Sequence, residues 1–223
     1  MGFYAAFEDP EAREVFVRYY GFLRRYDSLY RANRPKSEVL LLFPRNQVHE
    51  GNLDAVKRFK ELGKRLLDAH VLLDILPDDR APKAARAHYA AVIDPSDLKV
   101  STNNVMKRVP SGLSHFEAPT TVRVSVSRPA HKSELTLHLV NYNREEPADK
   151  KATVNGIKFE KPIGAPPCTA DLKLDRGIRV AHVEFLTPEV DRPRNLQFEQ
   201  DGRRLRVRIP EFLVYGVVRI QSY

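Results

Sequence analysis

The sequence predicts two joined architectures: a small three-stranded parallel α/β layer with a long N-terminal helix, followed by an antiparallel β-sandwich. Three observations predict this. Short continuous apolar runs, Glu38–Phe43, His70–Leu76 and Tyr89–Asp94, alternate with helix-period segments, the mark of parallel strands covered on both faces. Beyond Pro119 the apolar period becomes two, as in Val122, Val124 and Val126, then Leu135, Leu137 and Leu139. Between these halves, Pro95, Asn103–Asn104, Pro110, Ser111–Gly112 and Pro119 punctuate a connector.

The elements follow in order. Asp9-Pro10-Glu11 reads as a helix start: a capping carboxylate, a proline at the first helical position, and an acid near the positive dipole end. Val15, Tyr19, Phe22, Leu23, Tyr26, Leu29 and Tyr30 recur at helical spacing, and Arg34-Pro35 is expected to end the helix. The run at 38–43 is the first strand, 44–51 a polar loop, and Asn52 the cap of a second helix with Leu53, Val56, Phe59, Leu62, Leu66 and Leu67 inward. Residues 70–76 and 89–94 are the next strands, with a short helical piece at 81–88. Strand, helix, strand, helix, strand is the flavodoxin-like unit with right-handed crossovers. In the second half, strands are expected at 121–126 and 135–139, near 153–159 and 169–174, and at 178–186, 195–199, 203–209 and 212–220. The expected units are a docking helix (1–37), an α/β domain (38–110) and a sandwich (111–223).

Composition narrows the function classes. The 223 residues carry 37 basic and 29 acidic side chains for a net charge of +8. The surplus is even: residues 1–110 hold 19 basic and 15 acidic, leaving 18 and 14 for 111–223. Without a concentrated basic lobe, no nucleic-acid partner is expected. No apolar run nears the roughly 20 residues of a membrane helix, so no membrane partner is expected either. MGFYAAFEDPEAREV lacks the basic start and apolar stretch of a signal peptide, and a chain complete as written is expected in the cytoplasm.

The chemistry-bearing residues form few patterns. Asp78-Asp79 and Glu145-Glu146 are adjacent acid pairs in polar turns, where solvation rather than acid–base work is expected. Asp74 and Asp94 lie in or at the ends of predicted parallel strands, a common ligand position in α/β sheets. Cys168, the single cysteine, has no adjacent base and lies outside the α/β half, so cysteine-based amidotransfer and cysteine metal sites are excluded. His49, His70, His88, His115, His131, His138 and His182 show no HxH or HExxH spacing, and no phosphate-binding glycine loop is present. No cofactor, metal or catalytic residue is assigned. The sharpest charge feature is Arg203-Arg204-Leu205-Arg206-Val207-Arg208. Alternation puts Arg204, Arg206 and Arg208 on one strand face about 7 Å apart. Two readings stay open: a solvated face that discourages edge pairing, or a cationic strip for sulfated or uronic glycans.

Val39-Leu-Leu-Leu-Phe-Pro-Arg45, Leu72-Leu-Asp-Ile-Leu-Pro-Asp-Asp79 and Tyr89-Ala-Ala-Val-Ile-Asp-Pro95 resemble the strands of the amidotransferase-like, or trimerisation-type, domain of bacterial β-galactosidase-like glycoside hydrolases. Phe116-Glu-Ala-Pro119, His138 to Asn143, Phe185-Leu-Thr-Pro-Glu189 and Val214-Tyr-Gly-Val217 resemble the closing β-sandwich of such enzymes. In that family both parts follow a catalytic barrel. The resemblance therefore implies a non-catalytic accessory region that supports a barrel absent from these residues and contributes to subunit contacts in a homo-oligomer. The aromatic face of the first helix (Tyr19, Phe22, Tyr26, Tyr30) is expected to meet the missing domain. The alternatives are a stand-alone glycan-binding module using the arginine strip and, last, a small hydrolase using Asp74 or Asp94.

Overall fold

The computed structural model describes residues 10–129, 134–145 and 161–223. The expected helix cap Asp9, His131, Glu146 and the strand at 153–159 lie outside the described residues. Both predicted architectures are present: a three-stranded parallel sheet, and a sandwich of a six-stranded and a four-stranded antiparallel sheet.

The first helix, α1 (Pro10–Arg25), is shorter than its apolar spacing predicts. Beyond Arg25 the chain tightens into a 3₁₀ turn at Asp27–Leu29, and Ala32 adopts φ 51°. That reversal drops Leu29 and Tyr30 onto the sandwich. It also lets β1 (Arg34–Pro35) run antiparallel to β6 (Val122–Arg128) rather than merely stop a helix.

In the α/β layer, β2 (Val39–Phe43) lies between β3 (Leu73–Pro77) and β4 (Ala91–Ile93), all parallel. The run predicted as doubly covered is so. Val39 and Leu41 pack with Leu62 and Leu66, and Leu40 and Leu42 pack with Ala81 on the opposite face. The expected loop at 44–51 contains a short helix, α2 (Arg45–His49). Asn52 caps α3 (Leu53–Asp68) as expected, its side chain accepting from the Ala55 amide at 3.3 Å. Leu53, expected inward, is exposed, because the first helical residue precedes the turn that meets the sheet. Gly63 comes within 3.2 Å (by its missing Cβ) of Leu41, so the bare backbone lets α3 lie close on β2. His70 is not in a strand. It sits at φ 55° in the turn after α3, buried, with Nε2 3.1 Å from the Pro119 carbonyl. The helical piece before β4 is a single turn, α4 (Lys83–Arg86).

The connector contributes a strand that period analysis missed, β5 (His115–Glu117), too short to show alternation. The six-stranded sheet runs β1-β6-β7-β13-β9-β10, with β7 Glu134–Asn141, β9 Val180–Thr187, β10 Val190–Asn195 and β13 Tyr215–Ser222. The four-stranded sheet runs β11-β12-β8-β5, with β8 Cys168–Lys173, β11 Phe198–Asp201 and β12 Arg204–Ile209. Their inner faces share one core that includes Leu135, Leu137, Leu139, Phe185, Leu205, Val207 and Val218. Asn141, also buried, donates to the Ile163 and Leu213 carbonyls at 2.7 Å each and accepts from the Asn143 amide, so it ties the end of β7 to two loops. This is the structural content of the HLVNYN stretch.

The two halves are joined by specific bonds. The Glu38 carboxylate accepts from the Ser114 amide and hydroxyl at 2.9 and 3.1 Å. Arg123 donates to Asp68 at 2.9 Å. Lys36 and Arg128 both pair with Asp175, whose carboxyl they hold down to about 2.

Gly216 sits on the inner face of β13, where an added Cβ would lie 2.6 and 2.8 Å from two ring carbons of Phe185. That ring is buried and faces Phe212. Gly216→Ala is expected to lower unfolding free energy by about 1–3 kcal/mol through overpacking. Urea denaturation measures it, and an unchanged midpoint contradicts the packing described.

Candidate functional site

The arginine strand alternates as predicted: Leu205, Val207 and Ile209 are buried, while Arg206 and Arg208 face solvent. Its expected role as an edge guard is corrected, because β12 lies inside its sheet between β11 and β8. Nor are the three arginines equivalent. Arg204 donates from Nε to Asp171 at 2.8 Å and from Nη1 to the Leu113 carbonyl at 3.0 Å, fastening the connector to the sheet. Arg206 shares Asp171 at 3.4 Å. Asp171 is held below the usual carboxylate range: its burial opposes this, and the two arginines outweigh it. Arg208 is exposed beside the loop at Arg194–Gln197. Register sets Glu199 opposite Arg206, Asp201 opposite Arg204, and Glu117 next to Thr169 on the same face. The strip is thus part of a charge-alternating surface, with four carboxylates set among its three arginines.

The aromatic face of α1 is engaged within the chain. Phe22 and Leu29 are buried with Leu186 and Val217, with Tyr26, Tyr30 and Tyr215 around them. Tyr19 donates to Glu189 at 2.5 Å, and burial with that carboxylate raises the phenol's pKa. What α1 leaves in solvent includes a flank at three-residue spacing, Val17, Tyr20 and Leu23, from 40% to 61% exposed.

Beneath the 3₁₀ turn that follows α1 lies a polar relay that sequence reasoning did not find. His138 Nδ1 is 2.8 Å from the Tyr215 hydroxyl, which donates to Tyr30 at 3.2 Å. His138 Nε2 is 3.0 Å from Ser127 Oγ and 3.1 Å from Thr136 Oγ1. One consistent donor set gives a neutral imidazole protonated at Nδ1, with Nε2 accepting from a hydroxyl. Burial pushes the imidazole down to about 4. Farther along the same sheet face, Arg219 donates to both oxygens of Glu134 (3.1 and 2.7 Å) and to Glu184 at 3.1 Å, and Gln221 donates to Glu134 at 3.3 Å. Period-two spacing marks each of these residues as outward-facing, but only strand register brings them together.

The parallel strands do not unite Asp74 with Asp94. β3 and β4 flank β2 on opposite sides, two strand spacings or about 10 Å apart. Asp74 accepts from the Tyr89 hydroxyl at 2.5 Å; burial and this bond push Tyr89 up to about 12. Asp94 accepts from the Ser96 amide of its own turn at 2.8 Å. Asp79 pairs with Arg45, which keeps its carboxyl low. Cys168 is buried at the start of β8, and burial raises its thiol. Among the described residues, no group of three or more His, Cys, Asp or Glu is set to hold a metal ion, and no helix is long and apolar enough to cross a membrane.

No protein-family model matches this chain. No curated protein matches it either. Among solved structures, α-L-fucosidase isoenzyme 2 from Paenibacillus thiaminolyticus matches with a TM-score of 0.64 and 9% identity, over 96% of this chain and 53% of that one. A cycloisomaltooligosaccharide glucanotransferase from Paenibacillus sp. aligns over 72% of this chain and 26% of its own (TM-score 0.36, 14% identity). A rhamnosidase from Novosphingobium sp. PP1Y aligns over 82% and 14% (TM-score 0.32, 15% identity). These last two scores are too low to carry an argument. The chain spans about half the length of the fucosidase it matches. At 9% identity that likeness is one of fold alone.

Proposed function

We propose that this chain is a non-catalytic accessory region of a glycoside hydrolase, of the β-galactosidase-like type, that supports a catalytic barrel and contributes to subunit contacts. The observation that carries the reading is the extent of the fucosidase likeness: 96% of this chain lies on 53% of that enzyme, α/β layer and sandwich together. Two features support it. The acids best located for catalysis, Asp74 and Asp94, are on opposite sides of β2 and bonded to Tyr89 and to a turn amide. One flank of α1 carries an apolar row, Val17, Tyr20 and Leu23, on a helix already seated by Phe22. In this reading the catalytic domain covers that row, and the face predicted from sequence, Phe22, Tyr26 and Tyr30, seats the helix on its own sandwich.

The test is co-expression with the barrel-type protein encoded in the same frame or beside this gene. The two are expected to co-purify, and Val17→Asp with Leu23→Asp is expected to separate them while each remains folded. The isolated chain is expected to leave a panel of 4-nitrophenyl glycosides intact. Turnover by the 223-residue chain alone, abolished by Asp74→Asn or Asp94→Asn, overturns the proposal and establishes the small-hydrolase alternative.

A further inference from the structure

One end of the sandwich gathers arginines that nothing described so far uses. The β8–β9 connection carries Arg176 and Arg179, the β11–β12 turn carries Arg203, and the end of β13 brings Tyr223 alongside. Together with Gln200 and the turn backbone they line a groove of about 580 Å³. Its frame is fixed. Gln200 accepts from the Val180 amide at 2.9 Å and donates to the Ile178 and Gly202 carbonyls at 2.8 and 3.0 Å, so one side chain holds both turns. Gly177 and Gly202, at φ 80° and 54°, allow the turns to bend toward each other. Arg203 donates from Nε to the Leu174 carbonyl at 2.9 Å, which orients its guanidinium.

Among the described residues, none of the three arginines pairs with an Asp or Glu side chain, and no carboxylate side chain lines the groove. Asp175, beside Arg176 in sequence, is committed to Lys36 and Arg128, and Asp201 lies opposite Arg204. This is the reverse of the β12 face, where Asp171 answers Arg204 and Arg206. Three guanidinium groups around one concavity match an oxyanion with fork-shaped, charge-assisted hydrogen bonds. Tyr223, 91% exposed, adds a flat apolar ring of the size of one sugar.

We propose that the groove lined by Arg176, Arg179, Arg203 and Tyr223 binds an oligosaccharide bearing sulfate or carboxylate groups, the oxyanion on the arginines and a neighbouring ring on the tyrosine. The oxyanion half stands on the groove alone. The sugar half rests on the glycoside-hydrolase reading. Nucleic acid fits less well, since its affinity comes from many phosphate contacts along an extended basic track, and this groove is short.

The full chain is titrated by calorimetry at about 0.15 M salt, where long-range attraction is screened, with a heparin-derived hexasaccharide, an oligogalacturonate, a neutral oligosaccharide of equal length, inorganic sulfate and a short DNA duplex. At least one charged oligosaccharide is expected to bind more tightly than sulfate, the neutral sugar and DNA. Arg176→Ala with Arg179→Ala is expected to weaken it at least ~10-fold, as for loss of charge-assisted bonds. Tyr223→Ala is expected to weaken it further, and Arg206→Ala with Arg208→Ala, on the sheet face, to leave it unchanged. Equal losses from both arginine pairs, tighter binding of DNA, or binding of sulfate alone overturns the proposal. Neutral-sugar binding indifferent to Arg176 and Arg179 also overturns it, while leaving the accessory-region reading intact. Binding with the expected variant pattern sustains it whether or not a catalytic partner co-purifies.

Discussion

Replacing Arg219 with methionine is expected to lower the unfolding free energy by about 3–5 kcal/mol at pH 7, the cost of leaving buried carboxylates without their counter-charge. Arg219 spends three donors on two carboxylates, Glu134 and Glu184, whose side chains are only 8% and 13% exposed. The methionine stem keeps the aliphatic packing, so the effect isolates the lost charge. The second half of the test is a rescue. Adding Glu134→Met and Glu184→Leu to Arg219→Met removes the orphaned charges, and stability is expected to return close to wild type, because a buried ion network and an apolar cluster of similar volume differ little. Urea midpoints of the single and triple variants decide it. A single variant within about 0.5 kcal/mol of wild type, the range of ordinary surface changes, refutes the network's role.

Acidification from about pH 6.5 to about 4 is expected to cost the fold on the order of 3 kcal/mol through His138 alone. Burial between Tyr30 and Tyr215 pushes this imidazole down to about 4, against 6.5 in the unfolded chain. Above pH 6.5 both states hold it neutral, so it contributes no slope. Between these values the unfolded chain binds a proton that the folded chain does not, so stability falls as pH falls. Below about 4 both states are protonated, and the loss is complete. Asp175, lowered from 3.8 to about 2, loses its contribution only as pH falls through that lower range. His138→Gln keeps an acceptor and a donor for Ser127 and Tyr215 without titrating, and it is expected to flatten the slope between pH 6.5 and 4.5. Urea unfolding at several pH values measures it, and an unaltered slope in the variant shows that His138 is solvated in solution.

Both residues were visible as letters and invisible as a site. His138 opens the HLVNYN stretch, and Arg219 is one charged residue in an otherwise apolar strand. Neither position says which residues lie across from it. Tyr30 reaches His138 only because the chain reverses at Ala32 and sets the 3₁₀ turn on the sheet. Glu134 meets Arg219 because β7 and β13, 85 residues apart, pair in the register Thr136 opposite Arg219. The arginine strip shows the same limit in reverse. Alternation correctly put Arg204, Arg206 and Arg208 on one face, but not the carboxylates of β8 and β11 beside them.

The sequence by itself determined the class of each half, because apolar periodicity is local: doubly buried runs demand covered parallel strands, and alternation demands a one-sided antiparallel sheet. It likewise determined the Asn52 cap and the lack of cysteine chemistry in the α/β layer, both matters of residue type over a few positions. Tertiary structure alone decided where charge is compensated and where it is not. It paired Arg204 and Arg206 of β12 with Asp171 and, among the described residues, left Arg176, Arg179 and Arg203, in separate turns, without a carboxylate side chain. The reason is range: patterning acts over a few residues, whereas pairing of charges depends on strand register and loop closure across the whole chain.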